Sequence, residues 1–375
     1  DFTDSTQQVI LVGRAGVNNA VLNLNVGSNF TVSGNNKALF CSSLSNGPEN
    51  ISITNDINIS GGRVRFNAYE MVSSMGHNVN GTVGGSVFVS GGSLAFAAQK
   101  GIASWTINND LSQTGGYIVY KWNTGAATIN VMGNYTQMNG NAYLYSKGTV
   151  ATADVVTLNL NGNADFQNAT FSFDSSLTST AAHQLVFKGA SVTFGDNTIF
   201  THRSHLSGRT NFGHIRYDRP GTINLVRSTA NFDMQQVKQT VTAGTNVDFS
   251  ASAQNFMIAS YYSTNSIYHT TLYVDGTLNI GTNMIAARQQ PDYYANINVN
   301  SGGRLVIAHT NGLYNVGASA SAIYPLIGVN YRMNFFLDPN STVEYAGTDT
   351  QVITGTGYGI ATTSNHRYGY LDINH

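Results

Sequence analysis

Apolar and polar residues alternate in short runs that end at Gly, Asn or Asp, and then alternate again. "TINVMGNYTQMNGNAYLY" from Thr128 and "TLNLNGNADFQNATFSFD" from Thr157 show the cadence. It recurs in "AVLNLNVGSNFTVSG" from Ala20, "ISITNDINISGG" from Ile51 and "GSVFVSGGSLAF" from Gly85, and later in "TLYVDGTLNIG" from Thr271 and "NINVNSGGRLVIAH" from Asn296. Strict alternation predicts half-buried β-strands, with Ile, Leu, Val and Phe on one face and Asn, Thr and Ser on the other. The Gly and Asn breaks predict corners that need positive φ. "NFDMQQVKQTV" from Asn231 is the nearest approach to a helical pattern, and its β-branched end argues against a helix.

Comparable motifs restart at Thr128, Thr157 and Leu185, about 28 residues apart. A persistent, irregular period of this size points to a solenoid in which each coil stacks its strands on those of the coil before. The fold expected is all-β: a right-handed parallel β-helix with irregular loop excursions, the hand following from crossover chirality. Residues 1–375 are read as one elongated segment, a fragment of a longer chain. Excursions are expected at 42–50, 67–84, 202–219, 284–295 and 310–334.

Composition sharpens this picture. Charged residues make up 10% of the chain, against roughly 25% in average soluble domains. Polarity comes instead from Asn, Thr, Ser and Gly, which suit strands, turns and side-chain ladders. Stacked coils favour this, because an inward charge cannot be paired coil after coil. The net charge of −1 creates no global field for nucleic acid, and no apolar run is long enough for a membrane-spanning helix, so neither nucleic-acid binding nor membrane insertion is expected. The single cysteine, Cys41 in "ALFCSSL", makes no internal disulfide and reads as a small buried hydrophobe.

The last stretch, "DPNSTVEYAGTDTQVITGTG…YGYLDINH" from Asp338, resembles segments that recur in large secreted and cell-surface proteins of Bacteroidota. The "LNLNVGSNFTVSGN", "INVMGNYTQMNGN" and "LYVDGTLNIG" pieces resemble the coil repeats of the same proteins. The resemblance implies export by the type IX secretion route and an extracellular or cell-surface location. It also implies an adhesin-like repeat region to which enzymes are attached only in some cases. Partners would be flanking parts of a longer chain or other copies, secretion machinery and surface glycans.

Candidate chemistry concentrates in "THRSHLSGRTNFGHIRYDRPG" from Thr201, in a chain otherwise poor in charge. His202, Arg203, His205, Arg209, His214, Arg216 and Arg219 lie here with Asp218. Arg forks match carboxylates and phosphates bidentately, so the cluster suits an acidic glycan. Pectate-lyase-like β-helices also use Arg or Lys to take a proton beside a uronate. The plainer reading is a solvated loop whose arginines pair locally with Asp218. Tyr261, Tyr262, Tyr293, Tyr294 and Tyr314 are placed near loop tips, where an exposed ring would carry a sugar or a protein partner, although packing under a loop is the commoner fate of such rings.

No metal motif, nucleotide loop or cofactor site is present, so none of these is expected. Asp165, Asp174 and Asp196 fall in successive coils, each at or next to a strand end, where Asx turns account for them. Regular Thr-x-Thr rows, the signature of an ice-binding solenoid, are not found. The expected function is a non-enzymatic structural and adhesive solenoid, with a polysaccharide lyase, hydrolase or glycan-binding module as the alternative.

Overall fold

A computed structural model describes residues 21–34, 47–66, 78–98, 100–145, 154–173, 182–201, 213–228, 237–258, 269–287, 294–313, 332–353 and 370–374. Short pieces at 8–10, 13–14, 37–39, 42–43, 233–235 and 322–323 complete the described residues. Among them there is no helix, and every paired strand runs parallel to its neighbour. The protein is a parallel β-solenoid, as the alternation predicts. Packing groups the chain into two compact units, residues 1–186 with 201–206, and residues 187–200 with 207–375.

In the first unit each coil contributes up to three strands. Face I holds five-residue strands: Leu22–Val26, Glu49–Ile53, Val79–Val83, Ala103–Ile107, Ala127–Val131 and Val156–Leu160. Face II holds three-residue strands such as Val87–Val89, Leu111–Gln113, Tyr135–Gln137 and Ala164–Phe166. Face III includes Arg63–Arg65, Ser93–Ala95, Tyr117–Lys121 and Gly140–Tyr145. Thr128 pairs with Thr157, the restart read from the sequence. From Leu22 to Glu49, Val79, Ala103, Ala127 and Val156 the in-register steps are 27, 30, 24, 24 and 29 residues. Unequal excursions between faces therefore hide a constant register.

Several segments expected as loops are strands. Val79–Val83 lies inside the predicted 67–84 excursion, Gly213–Tyr217 inside 202–219, and Tyr294 starts Tyr294–Val299 inside 284–295. "VNGTV" hides because its inward centre is Gly81, which breaks the apolar alternation. A Cβ there would lie 2.1 Å from the Trp105 ring, so Gly81 makes room for the indole of the next coil. "NFDMQQVKQTV" resolves into strands Asp233–Gln235 and Val237–Val241.

The interior of the first unit is a column of rings. Phe66 lies 4.7 Å from Trp105, Trp105 5.3 Å from Phe96, and Phe96 stacks on Tyr120 at 5.7 Å. Tyr135 continues it to Phe166 at 5.1 Å. Such rings bury large apolar areas in preferred offset and edge geometries.

The corner between faces I and II is held by side chains. The backbone N–H of Asp56 donates to Asn29 Oδ1 at 3.2 Å, and that of Ser86 to Asp56 Oδ1 at 2.7 Å. Asp110 N–H donates to Ser86 Oγ at 3.3 Å, Asn134 N–H to Asp110 Oδ1 at 2.6 Å, and Asn163 N–H to Asn134 Oδ1 at 3.2 Å. Each corner residue thus caps the same position one coil on, at a turn where the strand ladder is interrupted. Amide-to-amide bonds lie on face I, where Asn50 donates to Asn23 at 2.9 Å and Asn159 to Asn130 at 2.9 Å.

The corner between faces II and III uses two devices. Gly92 and Gly116 stack with φ of +63° and +66°. Inside, Gln113 Nε2 donates to the carbonyls of Gly116 and Asn141 at 3.0 and 3.1 Å, and Gln137 Nε2 does the same for Gly140 and Thr170 at 3.3 and 3.2 Å. These are inward polar residues at apolar-row positions, justified by the corner carbonyls they satisfy.

In the second unit, face I continues the pattern with Gly213–Tyr217, Val237–Val241, His269–Val274, Tyr294–Val299 and Arg332–Leu337. Its face II runs through Gly221–Arg227, Thr245–Asp248, Thr277–Gly281, Arg304–Ile307, Thr342–Tyr345 and Tyr370–Ile373. Side chains bridge coils here too: Ser252 Oγ accepts from the Arg227 N–H and donates to the Arg227 carbonyl, both at 3.0 Å.

A Cβ on residue 116 would sit 2.5 Å from the Gly92 carbonyl oxygen at a positive φ, whereas Gly27 has nothing within 4 Å. Gly116→Ala is expected to cost about 2 kcal/mol, and Gly27→Ala less than about 0.5 kcal/mol, in urea denaturation of the purified protein.

Candidate functional site

The basic sequence cluster is partly built into the sheet of the second unit. Gly213, Ile215 and Tyr217 are buried, so His214 and Arg216 take the outward positions of the strand. His214 pairs in register with Lys238, and Arg216 with Thr240, on the next strand. Asp218, Arg219 and Pro220 form the corner that follows. The plainer reading, a solvated loop around Asp218, therefore misses that two of its residues are strand residues facing out. The cause is the shortness of "GHIRY", in which only Ile215 and Tyr217 are large and apolar.

His214 Nε2 and Thr240 Oγ1 are 2.8 Å apart, joining the two coils. Burial lowers the imidazole pKa to about 4, and the neighbouring Arg216 and Lys238 charges push the same way. At neutral pH a neutral imidazole therefore lies beside two cationic side chains. Arg216 meets Asp218 at 3.6 Å, with both side chains more than a third exposed, and its Nε has no hydrogen-bond partner among the described residues. Thr242 Oγ1 lies 3.0 Å from Asp218 Oδ1 and within reach of the Tyr217 carbonyl. Arg219 anchors the corner: its N–H donates to Thr245 Oγ1 at 3.0 Å and its Nη1 to the Lys188 carbonyl at 3.1 Å. The arrangement places Arg216 and Lys238 at outward positions one coil apart, as a short cationic strip.

The structure does not describe the side chains of the remaining binding candidates. His202, Arg203, His205, Arg209, Tyr261, Tyr262, Tyr293 and Tyr314 lie outside the described residues, and Tyr294 opens a strand whose first side chain is not described. Asp165 is the central residue of the three-residue strand Ala164–Phe166, next to its ends, and receives Gln167 Nε2 at 3.2 Å. Asp174 lies outside the described residues. Among the described residues no group of three His, Cys, Asp or Glu could hold a metal ion, and no helix is long and apolar enough to cross a membrane.

Two charged features escaped the sequence reading. Lys121 is fully buried, its Nζ donating to the Gly101 carbonyl at 2.7 Å. Burial lowers it to about 7, partly opposed by Asp154. No local pattern marks it, because the lysine follows three buried residues of its own strand. The second feature is an ion triad: Arg304 Nε donates to Glu344 Oε2 at 2.8 Å and its Nη2 to Asp372 Oδ2 at 2.9 Å. Glu344 pairs in register with Asp372, so the triad ties together the strands Thr342–Tyr345 and Tyr370–Ile373.

No family model matches the chain, and neither a curated protein nor a solved structure matches it.

The pKa of His214 is depressed on folding, so its unfolded form binds a proton first as pH falls. Its contribution to stability is full above about pH 6.5 and declines as pH falls through the window towards about 4. Thermal melts over that range should therefore show a steeper loss for the native protein than for His214→Gln, which keeps a partner for Thr240 but does not titrate. Parallel curves would rule out the neutral imidazole.

Proposed function

We propose that the chain is a non-enzymatic extracellular β-solenoid, a stiff segment of a large surface or secreted protein. It contacts surfaces, glycans or neighbouring copies. The observation that carries this reading is the use made of polar side chains: among the described residues they bond one coil to the next, corner by corner. A solenoid bonded this way resists extension and local opening, and its outward rows are left to touch other matter. Export by the type IX route in a Bacteroidota cell belongs to the same proposal and rests on the resemblance of the repeats. Partners are flanking chain, further copies and surface glycans.

The second reading is a polysaccharide-active enzyme or a glycan-binding module, favoured by one observation. Arg216 and Lys238 face outward on adjacent coils beside Asp218, where they would grip a uronate carboxylate.

The test is a glycan array probed with the native protein and with Arg216→Ala/Lys238→Ala, together with incubation on polygalacturonate followed by product analysis. The structural reading expects no chain shortening and no unsaturated product. Turnover abolished by the double substitution would make the enzyme reading the better one. Binding without turnover, weakened at least tenfold by the substitutions, would assign the strip to acidic-glycan attachment.

A further inference from the structure

Face I of the first unit carries a regular grid. Its six strands read LNLNV, ENISI, VNGTV, ASWTI, ATINV and VTLNL, paired in unbroken parallel register. The second and fourth residues of every strand point outward, exposed or half-buried, and each of them is Asn, Ser or Thr. None is charged, aromatic or longer than Asn. The two rows run side by side over five coil steps, about 24 Å at about 4.8 Å per step, with alternate residues of a strand about 6.6 Å apart.

Side-chain bonds tie asparagines of the grid from coil to coil. Asn50 donates to Asn23 at 2.9 Å, Asn80 to Asn50 at 3.3 Å and Asn159 to Asn130 at 2.9 Å. The grid also has a definite end. The next strand of this face, Gln184–Phe187, reads QLVF and is buried over its last three residues. Face I strands of the second unit carry His214, Arg216 and Lys238 at outward positions instead.

The chemistry of the grid narrows its partner. Without charge it offers nothing to a polyanion, an ionic mineral or an anionic lipid surface. Without an outward aromatic ring it gives a sugar ring no face to rest on. What it repeats, in two directions, is a short hydrogen-bonding group. Both spacings are close to those between water oxygens on faces of hexagonal ice. Waters that bind along such rows would be held near lattice positions, and joining a crystal would cost them little further freedom.

We propose that this grid adsorbs to ice. The inference deepens the surface-contact reading and rests on it only in that ice lies outside the cell. The rows mix three residue types and recur at unequal chain intervals, so a search for Thr-x-Thr does not find them; the strand register does.

The test is ice adsorption by the purified, fluorescently labelled chain. A slowly grown ice crystal is compared with the remaining liquid, with an inert globular protein as reference. The native chain should concentrate in the ice. Ser104→Tyr and Thr106→Lys, which break the middle of the grid, should fall to the inert reference level. Ser112→Tyr on face II should adsorb like the native chain, and unchanged thermal midpoints show that each variant folds. The proposal is overturned if the native chain is rejected by ice like the reference, or if the grid variants adsorb undiminished. It is also overturned if the native chain binds crystalline cellulose or chitin but not ice, which would assign the grid to a polysaccharide surface. Because adsorption is read on the isolated chain, failure on ice leaves the structural and adhesive reading standing.

Discussion

The constraint on which the rest depends is the need to satisfy the backbone at corners, where parallel strand pairing stops. A buried or half-buried N–H without a partner costs about 1–3 kcal/mol, and a stack of coils meets that need again at every turn. This chain solves it by repetition. Asn29, Asp56, Ser86, Asp110 and Asn134 each supply an oxygen to the corner N–H one coil further along. The opposite corner is served from inside by Gln113 and Gln137, and by glycines stacked at positive φ. Strand register, outward rows and interior ring column all follow once successive corners lie over one another.

This solution also explains the composition. Asn, Ser, Thr and Asp are short enough to reach the neighbouring coil and polar enough to replace a backbone partner. Long charged side chains are few, and where they occur they do separate tasks. Arg304 clamps Glu344 and Asp372 across adjacent strands, Lys121 is buried against the Gly101 carbonyl, and Arg216 and Lys238 face outward. The two outward surfaces of interest have opposite character. One is an uncharged grid in the first unit, the other a short cationic strip in the second, each set by two residues per strand on a framework that is otherwise the same.

Fold class was legible in the sequence because alternation and corner residues are local signals, and Thr128 and Thr157 fall on paired positions as their motifs suggest. Where local signals were weak the strands were hidden. Gly81 breaks the alternation for the sake of Trp105, a residue of the next coil, and "GHIRY" is too short to stand out. The inward glutamines were illegible for a related reason, since their partners are carbonyls that only the coiled backbone brings near. Of the candidate site, the sequence marked His214, Arg216 and Arg219 by charge density alone. It did not connect them to Lys238 or Thr240, which lie beside His214 and Arg216 only through register.

Amide hydrogen exchange at the corners between faces I and II tests this account most directly. The N–H groups of Ser86, Asp110 and Asn134 should be protected comparably to strand amides such as Ile107 and Val131, and Asp110→Ala should speed exchange at Asn134 far more than at Ser86. Corner amides that exchange like open loops, or a substitution that leaves Asn134 as protected as before, would contradict the claim that side-chain caps hold the coils in register.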